Sequence, residues 1–412
     1  MKRTFSRVVG PLVVAWFALN LYRASLPVLL PEFRRLYGIE YGDAGVVFGL
    51  LFAGLALSQL PSGLLADAVG DVRVMGTSIV GASLTLALFG ATRSLLGFGV
   101  LAFTFGVFVG GFRSVAISAV TKKVPATESG SALGLMASGN PLGNLVGPVV
   151  TAAAVLSLGV SQTPLALGLV GVVLSVGVWW LLATGAGQDG GQDPQGVERG
   201  EATSAIGETR GRLSLVVRTL STRRAILVVF VSLAFSAAWQ GVFTFLPSFL
   251  VETKGLDLGR TGLITGITFG VGILFNVGAG RLADRIGHER VMFGGLVVSS
   301  SGLLLLPSAG EILSVVAILV VFSAGLSSIP PARDAFIGSL APAADRGSVV
   351  GGVRTVYILL ASGVTVVTGT VIEYAGFTAG FRFLAVLLLL GVTAGFGLVR
   401  QNGAVTQELV SD

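Results

Sequence analysis

The amino-acid sequence predicts an all-α membrane protein with twelve transmembrane helices, arranged as two pseudo-symmetric bundles of six. Composition is the first observation: 53% of the 412 residues are hydrophobic and 12% are charged, whereas soluble proteins carry roughly 25% charged residues. The second is a set of twelve apolar stretches near the ~20 residues that a bilayer-spanning helix needs. The third is a pair of similar charged loops, one in each half of the chain, that begin at Gly63 and Gly280.

The twelve predicted spans fall into two halves of six, separated by a polar segment. We predict an N-terminal bundle at 1–183, a cytoplasmic linker at 184–222, a C-terminal bundle at 223–400 and a cytoplasmic tail at 401–412. The linker is rich in polar and glycine residues and nearly lacks aromatic ones, which is typical of a solvated tether. The spans, numbered 1 to 12 in chain order, are 8–30, 42–65, 72–91, 95–120, 129–156, 164–183, 224–250, 259–282, 289–307, 312–340, 348–375 and 380–399.

The basic residues are distributed unevenly between the two sides of the membrane. Of 27 Lys and Arg residues, 17 lie on the side of the N-terminus, 6 lie in the opposite loops and 4 lie within spans. This asymmetry follows the positive-inside rule, so it predicts a multi-pass protein of the cell (cytoplasmic) membrane with both termini in the cytoplasm. Topology therefore explains the net charge of +6, and we expect no nucleic-acid partner.

Two charged loops repeat at one offset in residue number. The loop GLLADAVGDVR, Gly63–Arg73, returns as GRLADRIGHER, Gly280–Arg290. The segments that precede spans 5 and 11, Pro125–Ser131 and Pro342–Ser348, are related by the same offset, since 280 − 63 equals 342 − 125. Because one offset relates two separate pairs of loops, it indicates an internal duplication. Such internal repeats are known in transporters.

A third pair of matching positions shows where the halves differ in length. The Leu-Pro pairs at Pro27 and Pro247, which we expect to end spans 1 and 7, have an offset that is larger by three than that of the charged loops. The first half therefore carries three extra residues in its first outer loop.

The loop pattern Gly-x-Leu-Ala-Asp-x-x-Gly-x-x-Arg resembles the signature loop of the major facilitator superfamily, found between its helices 2 and 3 and again between helices 8 and 9. The resemblance implies a twelve-helix secondary transporter that works by alternating access, in which these loops interlock the halves in one access state. The alternative is a plain turn whose charges serve only orientation. The predicted gating residues are Gly63, Asp67, Gly70, Arg73, Gly280, Asp284, Arg285, Gly287 and Arg290.

Span 5 contains glycine at every fourth position, followed by proline: Gly139, Gly143, Gly147 and Pro148. The pattern is similar to one associated with antiporters of the same superfamily. Close helix packing explains it equally well, because small residues let helix backbones approach. The asparagines between these glycines, Asn140 and Asn144, are candidates either for substrate binding or for hydrogen bonds between helices.

Charged residues within the spans are the strongest functional signal, because each costs at least ~2.5 kcal/mol at the bilayer centre and persists mainly for function. In the superfamily that the loops resemble, helices 1, 4, 7 and 10 line the central cavity, and three of these carry such charges here. The five charged residues are Arg23 in span 1, Arg113 in span 4, Arg333 and Asp334 in span 10, and Arg354 in span 11.

Arg23 is the main candidate for substrate binding. Its spacing to Pro31, Gly38 and Asp43 resembles the organophosphate and anion branch of the superfamily, in which an arginine of helix 1 holds an anion. A planar guanidinium suits a carboxylate or phosphate. The alternatives for Arg23 are an ion pair and a side chain that snorkels to the interface.

The sequence departs from that branch in span 7, where Trp239 and Gln240 occupy the region of a common partner arginine. The predicted substrate is therefore a small organic anion, and the alternative function is efflux of amphipathic or hydrophobic compounds by a multidrug-type antiporter. The candidate substrate-binding residues are Arg23, Asn140, Asn144, Trp239, Gln240, Arg333 and Asp334.

Other classes of function lack support in the sequence. There is no cysteine, no metal-ligand cluster, no nucleophile–base spacing and no ATP-binding domain, so we expect neither an enzyme nor a cofactor. The expected partners are a small-molecule substrate, the lipid bilayer and, as a candidate, a coupling proton or other ion. We expect the chain to function as a monomer.

Overall fold

The computed structural model describes residues 2–186, 222–340 and 346–411, and the predicted linker lies almost entirely outside these ranges. All regular structure in the described residues is helical. The first half contains seven helices, of which α2 and α3 are the two parts of one span bent by 45°. These helices are α1 Lys2–Tyr37, α2 Tyr41–Leu57, α3 Gln59–Val69, α4 Asp71–Phe89, α5 Leu95–Lys123, α6 Ala126–Leu158 and α7 Gln162–Ala186.

The second half repeats this order. Here α9 and α10 are the two parts of span 8, and α13 contains spans 11 and 12, which meet at Gly376, where the backbone leaves helical geometry with φ 79°. Counted in this way, the described residues form the twelve predicted spans in two bundles of six. The helices are α8 Arg223–Glu252, α9 Leu258–Gly270, α10 Gly272–Ile286, α11 His288–Leu305, α12 Ile312–Ser339 and α13 Arg346–Ser411, with a 3-10 turn at Leu306–Ser308.

Spans 1 and 7 are longer than the sequence predicts. Pro27 and Pro31 lie inside α1, which continues to Tyr37, and Pro247 lies inside α8, which continues to Glu252. The prediction that the Leu-Pro pairs end these spans is therefore wrong. A proline removes a single helical hydrogen bond, and the remaining backbone groups within a bilayer still need partners inside the helix.

The backbone confirms the internal duplication. The six residues of the described chain that have positive φ are all glycines, and they form three pairs with the same offset in residue number as the charged loops. Each pair has nearly equal φ, so the same loop conformation recurs in both halves. The pairs are Gly38 (66°) with Gly255 (65°), Gly70 (96°) with Gly287 (99°), and Gly159 (84°) with Gly376 (79°).

The two halves meet along two seams. In the α2–α13 seam, Gly45 and Gly49 lie against the backbone of α13; a Cβ on Gly45 would lie 3.0 Å from the Thr365 carbonyl oxygen. In the α6–α9 seam, a Cβ on Gly262 would lie 2.6 Å from the Pro148 carbonyl oxygen. Glycine is required at such places because any side chain would separate the helices.

The close glycine contacts of the two seams lie toward one side of the membrane. We call the helix ends that carry Arg34, Glu252 and Glu373 the latch face, and those that carry Asp67, Lys122 and Asp284 the signature face. The glycine contacts of both seams lie toward the latch face.

Toward the signature face, two glycines of the same helices have open space around them. Gly134 of α6 lies eleven residues, about three helical turns, before Leu145, and Gly351 of α13 stands in the same relation to Ser362. Leu145 and Ser362 contact the opposite bundle, whereas a Cβ on Gly134 or Gly351 would meet nothing within 4 Å. The close glycine contacts between the bundles therefore lie toward the latch face, and these two positions toward the signature face are open.

Candidate functional site

Arg23 lies in the middle of α1 and is buried, with 7% of its surface exposed. Its Nη2 lies 3.4 Å from Oδ1 of Asn144, and Asn144 donates through Nδ2 to Oδ1 of Asn140 at 2.8 Å. No carboxylate of the described residues forms an ion pair with Arg23, and its buried Nε has no hydrogen-bond partner among them. The structure thus brings together Arg23 and the two span-5 asparagines, and leaves donor capacity on the guanidinium.

Aromatic rings from the second half cover Arg23. Its Cζ lies 5.0 Å from the ring centroid of Trp239 and 5.5 Å from that of Phe243, distances typical of cation–π contacts. The two rings stack on each other at 4.7 Å, and Phe52 of α2 and Phe269 of α9 pack edge-on against both. The sequence did not single out Phe52 and Phe269, since an aromatic residue within an apolar span gives no distinguishing signal.

Gln240 faces away from Arg23 toward α13. Its Nε2 donates to Oγ of Ser236 at 3.1 Å and to the carbonyl oxygen of Ile358 at 3.4 Å, and its Oε1 accepts from Thr365 Oγ1 at 3.2 Å. The side chain is 2% exposed. These contacts use its amide to join α8 to α13, so the geometry favours a packing role for this predicted substrate ligand.

Arg333 and Asp334 pair with each other. Nε and Nη2 of Arg333 lie 2.9 and 2.8 Å from the same Oδ1 of Asp334, and the guanidinium stacks between the rings of Phe235 and Tyr357. Arg333 is buried, whereas 39% of the Asp334 side chain is exposed. The pair therefore neutralises itself and keeps one carboxylate oxygen free.

The other two intramembrane arginines have no carboxylate partner among the described residues. Arg113 of α5 lies over the ring of Trp16, with Cζ 5.7 Å from the centroid. Nε of Arg354 in α13 is buried and has no hydrogen-bond partner in the described part of the chain. Both side chains are half-buried.

The signature loops share one backbone conformation but differ in their charge contacts. Asp67 pairs with Lys122 of α5 at 3.1 Å, and Lys122 also lies 3.7 Å from Asp71. Arg73 forms no ion pair with Asp67; its Nη1 lies 3.5 Å from the carbonyl oxygen of Val69. Helix α4 takes a new direction after Gly70. Arg73 therefore lies beside the end of α3 and not beside Asp67.

In the second loop, Arg290 repeats the position of Arg73, since its Nη1 donates to the Ile286 carbonyl oxygen at 3.2 Å. Asp284 and Arg285 are exposed and form no ion pair within the described residues. Gly63 and Gly280 have open space around them, apart from Pro331 at 4.0 Å from a Cβ on Gly280. Every ion pair seen at the signature face of the described chain thus stays within one bundle.

The glycine motif of span 5 faces α1. A Cβ on Gly143 would lie 2.6 Å from the Phe17 carbonyl oxygen, and one on Gly147 would lie 2.7 Å from that of Leu21. A Cβ on Gly139 would lie 3.0 Å from the Val13 carbonyl oxygen and from the Phe17 amide nitrogen. The stripe therefore fixes α6 against α1, which places Asn144 beside Arg23, while Pro148 contacts the other half.

At the latch face, polar contacts cross between the halves. Arg34 Nη1 donates to both carboxylate oxygens of Glu252, at 2.7 and 3.0 Å, and its guanidinium lies 3.6 Å from the ring centroid of Tyr41. Oε2 of Glu373 accepts from the Gly42 backbone N–H at 2.8 Å. The sequence showed these charges at span ends, but nothing in it paired residues from opposite halves of the chain.

The fold and the paired loops agree with comparisons to known proteins. The family model of the Major Facilitator Superfamily matches residues 12–279 and 258–408. The chain belongs to the Major Facilitator Superfamily. It is a multi-pass membrane protein and a secondary transporter of a small molecule, as the repeated loops predicted.

The relatives of this chain are named for different functions. A probable sulfoacetate transporter, SauU of Cupriavidus necator, is 27% identical over 316 residues, 76% of this chain and 71% of that protein. The multidrug resistance protein MdtG of Serratia proteamaculans is 27% identical over 311 residues, 72% of this chain and 71% of that protein.

Solved structures at lower identity share the fold alone. A bacterial homologue of the human lysosomal transporter Spinster, in an inward-facing and occupied conformation, superposes with a TM-score of 0.80 at 13% identity, covering 96% of this chain and 97% of that one. The nucleoside transporter NupG gives a TM-score of 0.70 at 14% identity, covering 95% and 98%.

Proposed function

We propose that this transporter moves a small organic anion across the cytoplasmic membrane, and that Arg23 binds the anion. The observation that carries the proposal is a buried guanidinium at mid-span that lacks any carboxylate partner in the described residues. An unneutralised charge within the bilayer is costly, so a ligand that supplies the missing negative charge is favoured. Stacking on Trp239 holds the guanidinium plane while its N–H edge remains free for the anion.

The substrate site combines the predicted residues that the structure brings together. Arg23 supplies the charge, Asn144 orients the guanidinium and adds an amide donor, and Trp239 closes the site from the second half. Sulfoacetate, for which the relative SauU is named, is an organic anion of the proposed kind. Arg333 and Asp334 lie nearer the signature face, where they would meet the substrate on its way to Arg23.

The orientation of the chain completes the proposal. The positive-inside distribution places the signature face and both termini in the cytoplasm, so the space between the bundles opens to the cytoplasm in this conformation. The gating residues of the two signature loops would then meet when the access state reverses. The proposal also includes a linker between the bundles, a monomeric unit and a coupling ion or exchanged anion.

Substitution of Arg23 tests the function directly. Arg23→Lys keeps the charge but loses the planar fork, and Arg23→Gln loses both. Charge-assisted hydrogen bonds contribute about 1.5–3 kcal/mol, so we expect anion affinity to fall roughly 10- to 100-fold in Arg23→Gln and less in Arg23→Lys. Affinity is measured by thermal shift, and transport by uptake into proteoliposomes. Arg382→Gln, at an exposed position of α13, is the matched control and leaves anion uptake unchanged.

The alternative function is efflux of amphipathic compounds. The four-ring cluster of Phe52, Trp239, Phe243 and Phe269 beside Arg23 favours it, because aromatic walls bind apolar ligands, and the MdtG relatives are named for drug resistance. The same assay separates the two functions. If both Arg23 variants transport normally and only neutral or cationic amphiphiles shift the melting temperature, the efflux function replaces the anion function.

A further inference from the structure

The intramembrane charges form one electrostatic group. Arg23 of α1 lies over Trp239 of α8, and the next residue, Gln240, donates to the Ile358 carbonyl oxygen of α13, one helical turn from Arg354. Arg113 of α5 lies over Trp16 of α1, and Arg333 of α12, which pairs with Asp334, lies over Tyr357 of α13. Four helices, α1, α5, α12 and α13, thus direct their charged side chains toward one region between the bundles.

The group carries an excess of positive charge. Four arginines and one aspartate give a net charge of +3, and Arg333 already binds the single carboxylate at 2.8 Å. Arg23, Arg113 and Arg354 have no ion-pair partner within the described residues. Nε of Arg23 and Nε of Arg354 are both buried and lack a hydrogen-bond partner there.

The unpaired arginines lie at two depths. Arg23 lies 14 residues from Val9, where the apolar part of α1 begins, or about 21 Å along the helix. Arg354 lies eight residues, about 12 Å, from the first residue of α13. Arg113 lies ten residues, about 15 Å, from the end of α5. Arg113 and Arg354 therefore lie on the signature side of Arg23, about 6 to 9 Å closer to that face.

Two separated cationic positions select for a ligand with two negative charges. Like charges that repel in a medium of low dielectric constant raise the energy of the empty site, and a monovalent anion neutralises only one of them. A divalent anion neutralises both positions and links residues of the two bundles. The rings of Trp239 and Trp16 hold Arg23 and Arg113 by their faces, which leaves their N–H edges available.

We propose that the substrate is a small dianion with its two acidic groups one to three carbon atoms apart, one acid bound by Arg23 and Asn144 and the other by Arg354 and Arg113. The proposal rests on the anion function proposed above and deepens it by naming the charge and span of the substrate. In this proposal, Arg354 of span 11 takes the role of the partner arginine that is absent from span 7.

The test compares dianions with their monoamides, which keep the shape but lose one charge. Probes are sulfoacetate against sulfoacetamide and malonate against malonamate, with binding to the purified full chain measured by calorimetry at pH 7.5. In the wild-type protein we expect each dianion to bind at least about tenfold more tightly than its monoamide. In Arg354→Gln this preference falls to within about threefold, while monoamide affinity changes little. Arg382→Gln keeps the full preference.

Several outcomes would overturn the dianion proposal. One is equal affinity of the wild-type protein for dianion and monoamide. Another is an Arg354→Gln variant that weakens both ligands equally, and Arg113→Gln, with the same expected loss of preference, provides the second variant if Arg354→Gln does not fold. If the monoamide binds tightly and the dianion binds no better, the dianion proposal is wrong but the anion function is retained. Absence of binding by either ligand, with binding of amphiphiles, removes the anion function itself.

Discussion

The two seams between the bundles have the same glycine–backbone contacts but different side chains at their outer ends, which we call the rims. Gly45 of the α2–α13 seam and Gly262 of the α6–α9 seam occupy equivalent positions of the two repeats, and so do the residues they contact, Thr365 and Pro148. At the rim, the Gly42 N–H donates to Glu373 at 2.8 Å. A Cβ on the equivalent Gly259 would lie 3.9 Å from a methyl group of Leu156.

Two different features therefore act at the latch face. Glycine contacts let the face close, and the carboxylate of one seam makes closure depend on charge. Glycine contacts allow both seams to close, because they are backbone contacts that any side chain would prevent. A single difference between the repeats, Glu373 in place of Leu156, gives the α2–α13 seam a carboxylate that accepts a hydrogen bond from the opposite bundle. We therefore expect the α2–α13 seam to respond to pH and the α6–α9 seam to respond to packing alone.

The largest expected effect comes from filling a seam. Gly262→Ala places a Cβ 2.6 Å from the Pro148 carbonyl oxygen, and such overpacking costs about 1–3 kcal/mol. We expect the latch face to open roughly 5- to 100-fold more often. The reporter is Ser248→Cys, buried at the interface in a chain without cysteine, whose labelling rate should rise by that factor. Gly134→Ala, which meets open space, is the control; equal labelling in the two variants would contradict the packing role.

The next effect concerns pH and the rim of the α2–α13 seam. A hydrogen bond that protonated Glu40 donates to the Glu373 carboxylate, followed by the negative charge of Glu373, raises the pKa of Glu40, and Arg34 opposes the rise. Glu40 and Glu373 belong to different bundles and separate when the latch face opens. The closed state therefore binds the proton more tightly, so closure is favoured as pH falls and is lost as pH rises through the raised pKa of Glu40.

Replacing Glu373 by the residue at the equivalent rim position tests the assignment of the linked proton to Glu40. We expect labelling of Ser248→Cys to increase with pH by at most about tenfold per pH unit, the limit for one linked proton. Glu373→Leu, which copies Leu156, should abolish the pH dependence and keep the seam closed. Leu156→Val, at the apolar rim, is the control and should retain the wild-type profile. A pH profile that survives in Glu373→Leu would assign the proton to another group.

A smaller effect is expected from the ion pair across the latch face. Arg34 and Glu252 have side-chain exposures of 25% and 30%, and partly exposed pairs contribute about 0.5–1 kcal/mol. A double-mutant cycle with Arg34→Gln and Glu252→Gln should give a coupling energy in this range for latch closure, measured from labelling. Arg35→Gln removes a pair within α1, with Glu32 at 3.1 Å, and should leave closure unchanged.

The smallest effect on this conformation is expected at the signature face. Asp67 pairs with Lys122 inside its own bundle, and both side chains are more than half exposed. Asp67→Asn should therefore change the melting temperature by less than about 2 °C, because exposed pairs contribute little. Transport should nevertheless fall, since the other access state would lose its interlock. Normal flux in Asp67→Asn would leave the loop only a role in orientation.

Much of the fold follows from the sequence because its signals are local. Hydropathy predicts each span, since a helix satisfies its own backbone hydrogen bonds in lipid, and the internal repeat predicts the loops whose glycines share nearly equal φ values. Arg23 is identifiable from charge and depth alone as a candidate for substrate binding. The bend at Ser58 and the extension of α1 past Pro27 were not predictable, because both depend on what packs against the helix.

The tertiary structure alone decided which residues meet. It joined Lys122, and not Arg73, to Asp67; it turned Gln240 toward Thr365; and it brought Trp239 over Arg23 from the other bundle. These contacts join residues that are far apart in the chain, and a hydrophobic pattern records only which face of a helix is apolar. Which side of the membrane is closed depends likewise on the balance between the seams at the latch face and the charged loops at the signature face, and that balance exists only once the two bundles are packed together.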